Sequence, residues 1–235
     1  TTKCLTSLGD KIGLLESIQV DVIYLVHIDM DFLSLSKEEF LDMIEYSLRA
    51  TDIVVGEDYT FGKKAEGKTA DLNGRFAEHS HVVSLLLDNG LKISSRDIVK
   101  LIEGGNVSQA NALLGRDYSI VGTVIKGLQN GRTIGFPTAN LRLLDDYALP
   151  RVGVYGGSVM LENGDVYPSI INVGSNPTVK EETPVHVEAY LDGFDGDIYG
   201  QNVMVFFSFF IREETTFSSL EELKIQLSKD INLVR

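Results

Sequence analysis

The apolar pattern of this chain changes near Asp117, and that change limits the possible folds more than any single motif. Before that point, helix-like segments alternate with strand-like ones; after it, short segments with a period of two residues are separated by glycine-containing turns. The first pattern predicts a Rossmann-like α/β layer with parallel strands, and the second predicts a small β-barrel. A chain of 235 residues has room for both. We therefore predict an α/β domain over residues 1–115 and a β-barrel domain over residues 116–235.

The first half is predicted to alternate between helices and strands. The helices are predicted over Leu8–Ile18, from Ser36 with Glu39 as a capping box, from Ser94 or Ser95 through Ile102, and over Asn106–Leu114 with Gly115 ending it. The strands are predicted over Val20–Ile28, Asp52–Gly56 and Val82–Leu87. Strands joined through helices in this way run parallel, so this half should form one α/β layer.

The second half is predicted to be almost entirely strands. They are predicted over Tyr118–Ile125, Gly153–Leu161, Val166–Val173, Val185–Leu191 and Asn202–Arg212. The acidic segment Asp192–Gly200 does not have the aspartate spacing of a calcium loop, and we interpret it as a hairpin turn. A capping box of Ser218 with Glu221 predicts a final amphipathic helix toward Ile231, which would cover one end or face of the barrel.

Charge and composition exclude several kinds of partner. The net charge is −13, with 34 acidic and 21 basic residues, so nucleic acid and anionic membranes are not expected as main partners. The longest apolar stretch, Val203–Ile211, has about half of the ~20 residues that a membrane helix needs. The single cysteine, Cys4, cannot form an internal disulfide, which favours a cytoplasmic protein. The negative net charge still permits a small phosphate ligand, which local backbone amides, a few basic side chains and a divalent cation would hold.

The segment Gly131–Leu141 has the composition of a phosphate and metal site. Glycines let the backbone approach a ligand closely, and Pro137 fixes one backbone angle. Thr138 and Asn140 share one face if the segment is extended. An ordinary loop needs the glycines and the proline but not this pair of polar side chains.

A second candidate residue lies on the predicted strand Val185–Leu191. Its alternation places the aliphatic residues on one face and His186, Glu188 and Tyr190 on the other. Glu188 could act as a general base if a hydroxyl substrate lies nearby, and it is otherwise a solvated surface carboxylate. We interpret His186 as structural.

Together these segments resemble the riboflavin kinase family across the whole second half. The resemblance is carried by Gly122–Gly127, Gly131-Arg132, Gly135–Leu141, Leu149-Pro150, Gly153–Tyr155, Asn172–Gly174, Pro177-Thr178, Val187-Glu188, Asp195–Gly200 and the ending Arg212–Glu214 with Phe217–Leu220. It implies that Thr138 and Asn140 hold Mg²⁺ and the ATP phosphates. It also implies that Glu188 accepts the proton of the ribityl 5′-hydroxyl and that Arg212 lies near the flavin. Gly127 and Gly135 would let the loop close over the nucleotide.

The first half resembles the FMN adenylyltransferase domain of bacterial bifunctional FAD synthetases. The middle motif of that domain is matched by Gly56, Asp58, Phe61 and Gly62, and a later motif by Ser94 and Ser95. No paired-histidine H-x-G-H segment is present, so we expect the chain to begin inside this domain. Arg96 and Val99 replace the usual threonine and basic residue of the later motif. These departures leave FAD formation by this chain open.

Two alternatives compete with a kinase that makes FMN from riboflavin and ATP: a P-loop NTPase and a flavin-binding or regulatory protein. Residues Gly62–Thr69 satisfy the P-loop expression G-x-x-x-x-G-K-[ST], although they do not directly follow an apolar strand as a P-loop should. The chain could also be a diverged flavin-binding or regulatory protein without turnover. Intact Thr138, Asn140 and Glu188 favour the enzyme. The sequence does not indicate an oligomeric state.

Overall fold

The computed structural model describes residues 3–127, 135–175 and 185–235. Within them, the α-helices are α1 (Leu8–Ser17), α2 (Met30–Ser34), α3 (Lys37–Asp42), α4 (Thr69–Phe76), α5 (Ser95–Glu103), α6 (Val107–Leu114) and α7 (Leu220–Ile231). The strands are β1 (Ile53–Gly56), β2 (Thr60–Phe61), β3 (Gly67–Lys68), β4 (Ser80–Val83), β5 (Leu87–Asp88), β6 (Leu91–Lys92), β7 (Tyr118–Ile125), β8 (Thr138–Leu143), β9 (Gly153–Met160), β10 (Val166–Ser175), β11 (Val185–Leu191) and β12 (Asn202–Arg212). None of the helices in these ranges is long and apolar enough to cross a membrane.

The chain divides into two compact units. One contains the described residues of Thr1–Ile18 and Ser94–Arg235, and the other is Gln19–Ile93. This division groups α5 and α6 with the barrel strands, whereas the sequence places a domain boundary between residues 115 and 116. The domain boundary therefore stays a prediction.

The larger unit is built on a closed barrel. Its strands follow the order β10-β11-β8-β7-β12-β9, every neighbouring pair is antiparallel, and β9 closes the ring against β10. Alternate residues face the interior; β7 shows this clearly, with Tyr118, Ile120 and Val124 buried. Phe207 packs in the core against the rings of Tyr118 and Tyr155. The predicted barrel is confirmed.

Polar atoms inside this core are satisfied by backbone groups. The Tyr118 hydroxyl donates a 2.7 Å hydrogen bond to the carbonyl of Ala148, and the Tyr155 hydroxyl donates a 2.6 Å hydrogen bond to the carbonyl of Arg151. Burial raises the pKa of Tyr155 to about 12, so this hydroxyl stays neutral. The barrel thus gains aromatic packing without an unpaired buried hydroxyl at these positions.

Two predictions for the barrel need correction. Thr138–Leu143 was not among the predicted strands, yet it forms β8 between β7 and β11. The predicted hairpin at Asp192–Gly200 is wrong, because β11 and β12 are not neighbours: β11 lies between β10 and β8, and β12 between β7 and β9. Turn residues indicate where a chain reverses, but they do not determine which strand the next one pairs with.

The final helix begins one residue later than its predicted cap. The N-cap is Ser219, whose side chain accepts a hydrogen bond from the amide of Glu222, while Ser218 bonds to the Glu222 carboxylate. The helix ends at Ile231 as predicted, and Ile231 packs against Val154 and Ile170 of the barrel. The expectation that this helix covers part of the barrel is confirmed.

The smaller unit has a short parallel pair at its centre. β1 and β4 run parallel with Val54 opposite His81, and α4 lies between them in the chain. Its core consists of Leu41, Phe61, Leu72 and Phe76. This parallel pair with its connecting helix is the expected α/β arrangement.

Two strand predictions for the smaller unit do not match the structure. Residues 20–28 form no strand, because no described segment provides a hydrogen-bonding partner for them, and an alternating pattern without a partner cannot form a ladder. The predicted strand Val82–Leu87 is divided, with its ends falling in β4 and β5. Elsewhere the capping box of Ser36 and Glu39 and the cap of α5 by Ser94 are confirmed.

Candidate functional site

Three adjacent barrel strands bring the predicted polar residues into one row. Glu188 on β11 lies directly opposite Asn140 on β8 and directly opposite Asn172 on β10. Two residues further along β11, Tyr190 lies opposite Thr138. The Thr138 hydroxyl donates a 3.3 Å hydrogen bond to Oε2 of Glu188, whose side chain is 30% exposed. The strand register therefore holds a carboxylate, a hydroxyl and two amides together.

This row forms part of the wall of a cavity of about 510 Å³. The lining residues are Phe136, Thr138, Val154, Ile170, Asn172, Glu188, Tyr190, Arg212, Glu214, Thr215, Thr216, Phe217, Leu223 and Leu227. Aromatic and aliphatic side chains form much of the wall, and the polar groups are few, which is typical of a site for a largely apolar small molecule. Burial raises the pKa of the Tyr190 hydroxyl, with Asp192 adding to the shift, so this hydroxyl is neutral.

Arg212 lines the same cavity, and an ion pair with Asp230 holds its side chain in place. Its guanidinium donates to the carboxylate of Asp230 from Nε at 3.0 Å and from Nη2 at 2.9 Å. Asp230 is buried in α7 and also accepts a 2.7 Å hydrogen bond from Gln226. The guanidinium carbon lies 5.7 Å from the centre of the Phe217 ring. Arg212 thus connects the cavity wall to α7 through Asp230 and to the segment before α7 through Phe217.

A second, smaller cavity of about 190 Å³ adjoins the first. Its lining consists of Val124, Pro137, Thr138, Ala139, Leu191, Phe194, Asp195, Gly196, Asp197, Ile198 and Tyr199. Thr138 lines both cavities. Ligands occupying the two spaces would therefore both lie close to Thr138, which contacts Glu188 in the larger cavity.

The residues predicted to hold phosphate and Mg²⁺ have suitable donor chemistry. A Cβ on Gly127 would overlap the Asn140 side chain, so the absence of a side chain at Gly127 leaves room for the Asn140 amide. Gly135 has a φ of +83°, which an L residue rarely adopts. Hydroxyl and amide oxygens suit Mg²⁺, which keeps water and phosphate oxygens as its other ligands. Among the described residues, no cluster of three His, Cys, Asp or Glu side chains able to hold a metal is found.

Other parts of the predicted motifs lie outside the described residues. These are Gly131 to Ile134 of the phosphate segment and Asn176 to Pro184, which include Pro177 and Thr178.

Residues of the predicted adenylyltransferase motif have local structural roles in the smaller unit. Asp58 forms an ion pair with Lys92, which lowers the pKa of Asp58. Phe61 is buried and stacks on Phe40, with ring centres 5.1 Å apart. Gly62 has a φ of +71°, and a Cβ there would come within 2.9 Å of the Lys37 backbone. A Cβ on Gly56 would make only ordinary contact with Asp58.

The second part of that motif begins a helix of the larger unit. Ser94 is the N-cap of α5: its hydroxyl donates to Asp97 at 2.6 Å and accepts from the Asp97 amide at 3.3 Å. Ser95 is the first residue of α5. The structure therefore explains Ser94 as a cap, which does not exclude a further role.

The P-loop interpretation of Gly62–Thr69 does not fit the geometry. Phe61 and Gly67 pair across β2 and β3, so the segment folds back on itself. A Cβ on Gly67 would fall 2.5 Å from the Phe61 ring, so Gly67 is required for packing. A P-loop instead passes from a strand through an open, phosphate-binding turn into a helix.

Two cavity residues were not among the predicted site residues. Asn172 faces Glu188 across β10 and β11, and its amide donates a 3.3 Å hydrogen bond to Oε1 of Glu214. Glu214 follows β12. Their positions depend on the strand pairing of the assembled barrel, which no single motif indicates.

Comparison with known protein families agrees with this geometry. The family model described as riboflavin kinase matches residues 114–235, and the model described as FAD synthetase matches residues 1–97. The second half of the chain is therefore a riboflavin kinase domain, a class of ATP-dependent phosphotransferase.

Individual relatives extend the match over both halves. The bifunctional riboflavin kinase/FMN adenylyltransferase of Listeria monocytogenes is 38% identical over 232 residues, covering 97% of this chain and 73% of that protein. The Bacillus subtilis protein of the same name is also 38% identical over 232 residues, covering 96% of this chain and 72% of its own length. A crystal structure described as a macrolide-efflux protein from Streptococcus pneumoniae aligns with a TM-score of 0.87 at 34% identity, covering 98% of this chain and 75% of that one. The chain belongs to the bifunctional riboflavin kinase/FMN adenylyltransferase family.

Proposed function

We propose that the barrel transfers the γ-phosphoryl group of ATP to the 5′-hydroxyl of riboflavin, with Glu188 as the general base. The observation that carries this proposal is that Thr138 lines both cavities and contacts the Glu188 carboxylate in the larger one. The larger space suits the flavin, because its apolar walls can hold a flat ring system and its polar edge can bind the ribityl hydroxyls. The smaller space would then take part of the nucleotide.

The chemical step needs mainly positioning and charge neutralisation. Glu188 accepts the proton of the 5′-hydroxyl as that oxygen forms a bond to the γ-phosphorus. The bond from the γ-phosphorus to the bridging oxygen breaks, and ADP leaves with the electron pair. Thr138 keeps the carboxylate turned toward the cavity, and the neutral Tyr190 hydroxyl adds no competing charge.

Thr138 and Asn140 would also hold Mg²⁺ together with the ATP phosphates. The ion supplies positive charge that offsets the developing charge on the phosphoryl oxygens. Gly127 and Gly135 support this assignment, since their lack of side chains leaves space beside the Asn140 amide and permits a tight backbone turn. EDTA in excess should stop FMN formation and leave the melting temperature of the protein unchanged.

A direct test separates the kinase from a flavin-binding protein without turnover. The purified protein is incubated with riboflavin, ATP and Mg²⁺, and FMN is measured by chromatography. The variant Glu188→Gln should lower kcat by roughly 10²- to 10⁴-fold, the range that a positioned general base contributes. Glu16→Gln is the matched control, because Glu16 is exposed on α1.

The outcomes are distinct. No FMN from the wild-type protein would favour the flavin-binding alternative. FMN formed at the wild-type rate by Glu188→Gln would instead remove Glu188 from the base role while leaving the kinase activity intact.

FMN adenylylation is a second proposed activity, supported by the FAD synthetase match and by the names of the relatives. Gly56, Asp58, Phe61, Gly62, Ser94 and Ser95 are the residues proposed for it. Arg96 and Val99 depart from the usual motif, so the assay is FAD formation from FMN and ATP by this chain and by the variant Arg96→Thr. FAD formed only after the substitution would identify Arg96 as the block.

We also propose that small molecules are the main partners and that the protein acts in the cytoplasm. The net charge of −13 supports the first point, and the single cysteine supports the second.

A further inference from the structure

The imidazole of His186 lies beside the proposed general base, in a position set by the strand pairing. His186 and Glu188 are two residues apart on β11 and therefore face the same side of the sheet. Nε2 of His186 lies 3.7 Å from Oε1 of Glu188, and the two side chains are 31% and 30% exposed. Thr138 contacts the other carboxylate oxygen, Oε2. The carboxylate is thus contacted from both of its oxygens.

A glycine on the neighbouring strand makes room for the ring. Gly174 lies directly opposite His186 on β10. A Cβ there would fall 2.5 Å from Cε1 and 2.7 Å from Nε2 of His186, closer than real contacts allow. The imidazole therefore lies across the backbone of Gly174, and this packing limits its rotation.

The surroundings of the ring favour a proton on Nε2. The same Cβ position on Gly174 is 2.8 Å from Oε1 of Glu214, so Nε2 borders a region with two carboxylates, Glu188 and Glu214. Nδ1 is buried and has no hydrogen-bond partner among the described residues. An N–H directed toward carboxylates is more favourable than one directed into a buried space without an acceptor.

We propose that His186 is a positioning residue for Glu188 in the phosphoryl transfer. This inference rests on the proposed function of the barrel. The Nε2–H attracts Oε1 while Thr138 holds Oε2, so the carboxylate keeps one orientation toward the 5′-hydroxyl. The gap of 3.7 Å is longer than a hydrogen bond, which is expected for a catalytic contact that tightens once substrate is bound.

The test compares two substitutions with different chemistry. His186→Leu removes the donor but keeps an apolar side chain over Gly174, whereas His186→Gln restores an N–H donor. In single-turnover FMN formation we expect His186→Leu to be roughly tenfold slower, which is a part of the effect of a positioned base. In steady-state assays, KM for riboflavin and for ATP should be nearly unchanged. His186→Gln should recover most of the rate. His81→Gln, an exposed histidine of the smaller unit, is the control.

A double substitution asks whether His186 acts through Glu188. If it does, adding His186→Leu to Glu188→Gln should cause little further loss, because the group that it orients is already gone. Melting curves establish that each variant is folded.

Three results would overturn the proposal: wild-type rates in His186→Leu, equal losses in His186→Leu and His186→Gln, or fully multiplicative losses in the double variant. Each of these leaves the kinase assignment standing. Absence of FMN from the wild-type protein would overturn the proposed function, and this inference with it.

Discussion

Replacing Asp230 by alanine should destabilise the barrel unit and weaken riboflavin binding together. Asp230 is 1% exposed and accepts hydrogen bonds from two nitrogens of Arg212 and from Gln226. In this variant Arg212 would keep its positive charge but lose the Asp230 carboxylate that pairs with it. Because the Arg212 side chain is 20% exposed, water can compensate only part of that loss.

The expected size of the effect follows from this burial. Removing one member of a buried ion pair costs about 3–5 kcal/mol, and the partial exposure of Arg212 favours the lower end, about 3 kcal/mol. For a unit of this size, 1 kcal/mol corresponds to about 2–4 °C, so the melting temperature should fall by about 6–12 °C. Arg212, Leu223 and Leu227 line the larger cavity, so KM for riboflavin should rise as well.

Tyrosine signals report this unfolding, because the chain has no tryptophan. Thermal melts followed by near-ultraviolet circular dichroism would be compared for wild type, Asp230→Ala and Asp230→Asn, with KM measured in parallel. Asp230→Asn keeps an acceptor oxygen and should lose less stability. Asp146→Ala is the control, since Asp146 is exposed and surface changes usually stay within about 0.5 kcal/mol. A melting temperature for Asp230→Ala equal to that of this control would refute the reasoning.

Three further outcomes are expected. Gly127→Ala should slow FMN formation roughly tenfold to a hundredfold with an unchanged melting temperature, because its Cβ displaces the Asn140 amide; wild-type kinetics would contradict that role. Arg235 lowers the pKa of Asp192 below its ordinary 3.8, so this carboxylate stabilises the fold above about pH 4 and loses that effect as pH falls through the lowered pKa. Melts of Asp192→Asn should therefore lie below wild type at pH 7 and converge with it at acid pH; a constant gap would disprove the linkage. Ser219→Ala removes the cap of α7 and should cost about 1 kcal/mol in urea unfolding, whereas Ser218→Ala should cost less.

The strands of the barrel are predictable because burial on one face imposes a period of two residues. Val185–Leu191 and Asn202–Arg212 were predicted with the bounds that the structure has. β8 follows the same rule, with Ala139 and Leu141 buried, but the preceding glycines and Pro137 favoured a turn. Within the smaller unit, residues 20–28 show the opposite error, since their pattern resembles a strand and no described partner pairs with it.

The residue types of the candidate site could be predicted from the sequence, but their spatial arrangement could be predicted only in part. Thr138, Asn140 and Glu188 were identified from the motif and the resemblance, and β8 and β11 place them side by side. Asn172 and Glu214 were not, because their proximity depends on which strands are neighbours and at what offset. The offset between two strands depends on the hydrophobic patterns and turns of several segments together, so one local motif does not reveal it.

The row of Asn140, Glu188 and Asn172 has a consequence for how such a protein can change over time. In a ring of strands, the offset of each strand is constrained by all the others, so no single strand can slide without opening the ring. One inserted residue before Glu188 would turn its carboxylate toward the hydrophobic interior. Single amino-acid substitutions in this row leave the strand offsets unchanged, so selection can act on each one separately. Insertions and deletions, in contrast, are tolerated only in the loops between strands. Strand lengths should stay constant among functional descendants while the loops vary in length.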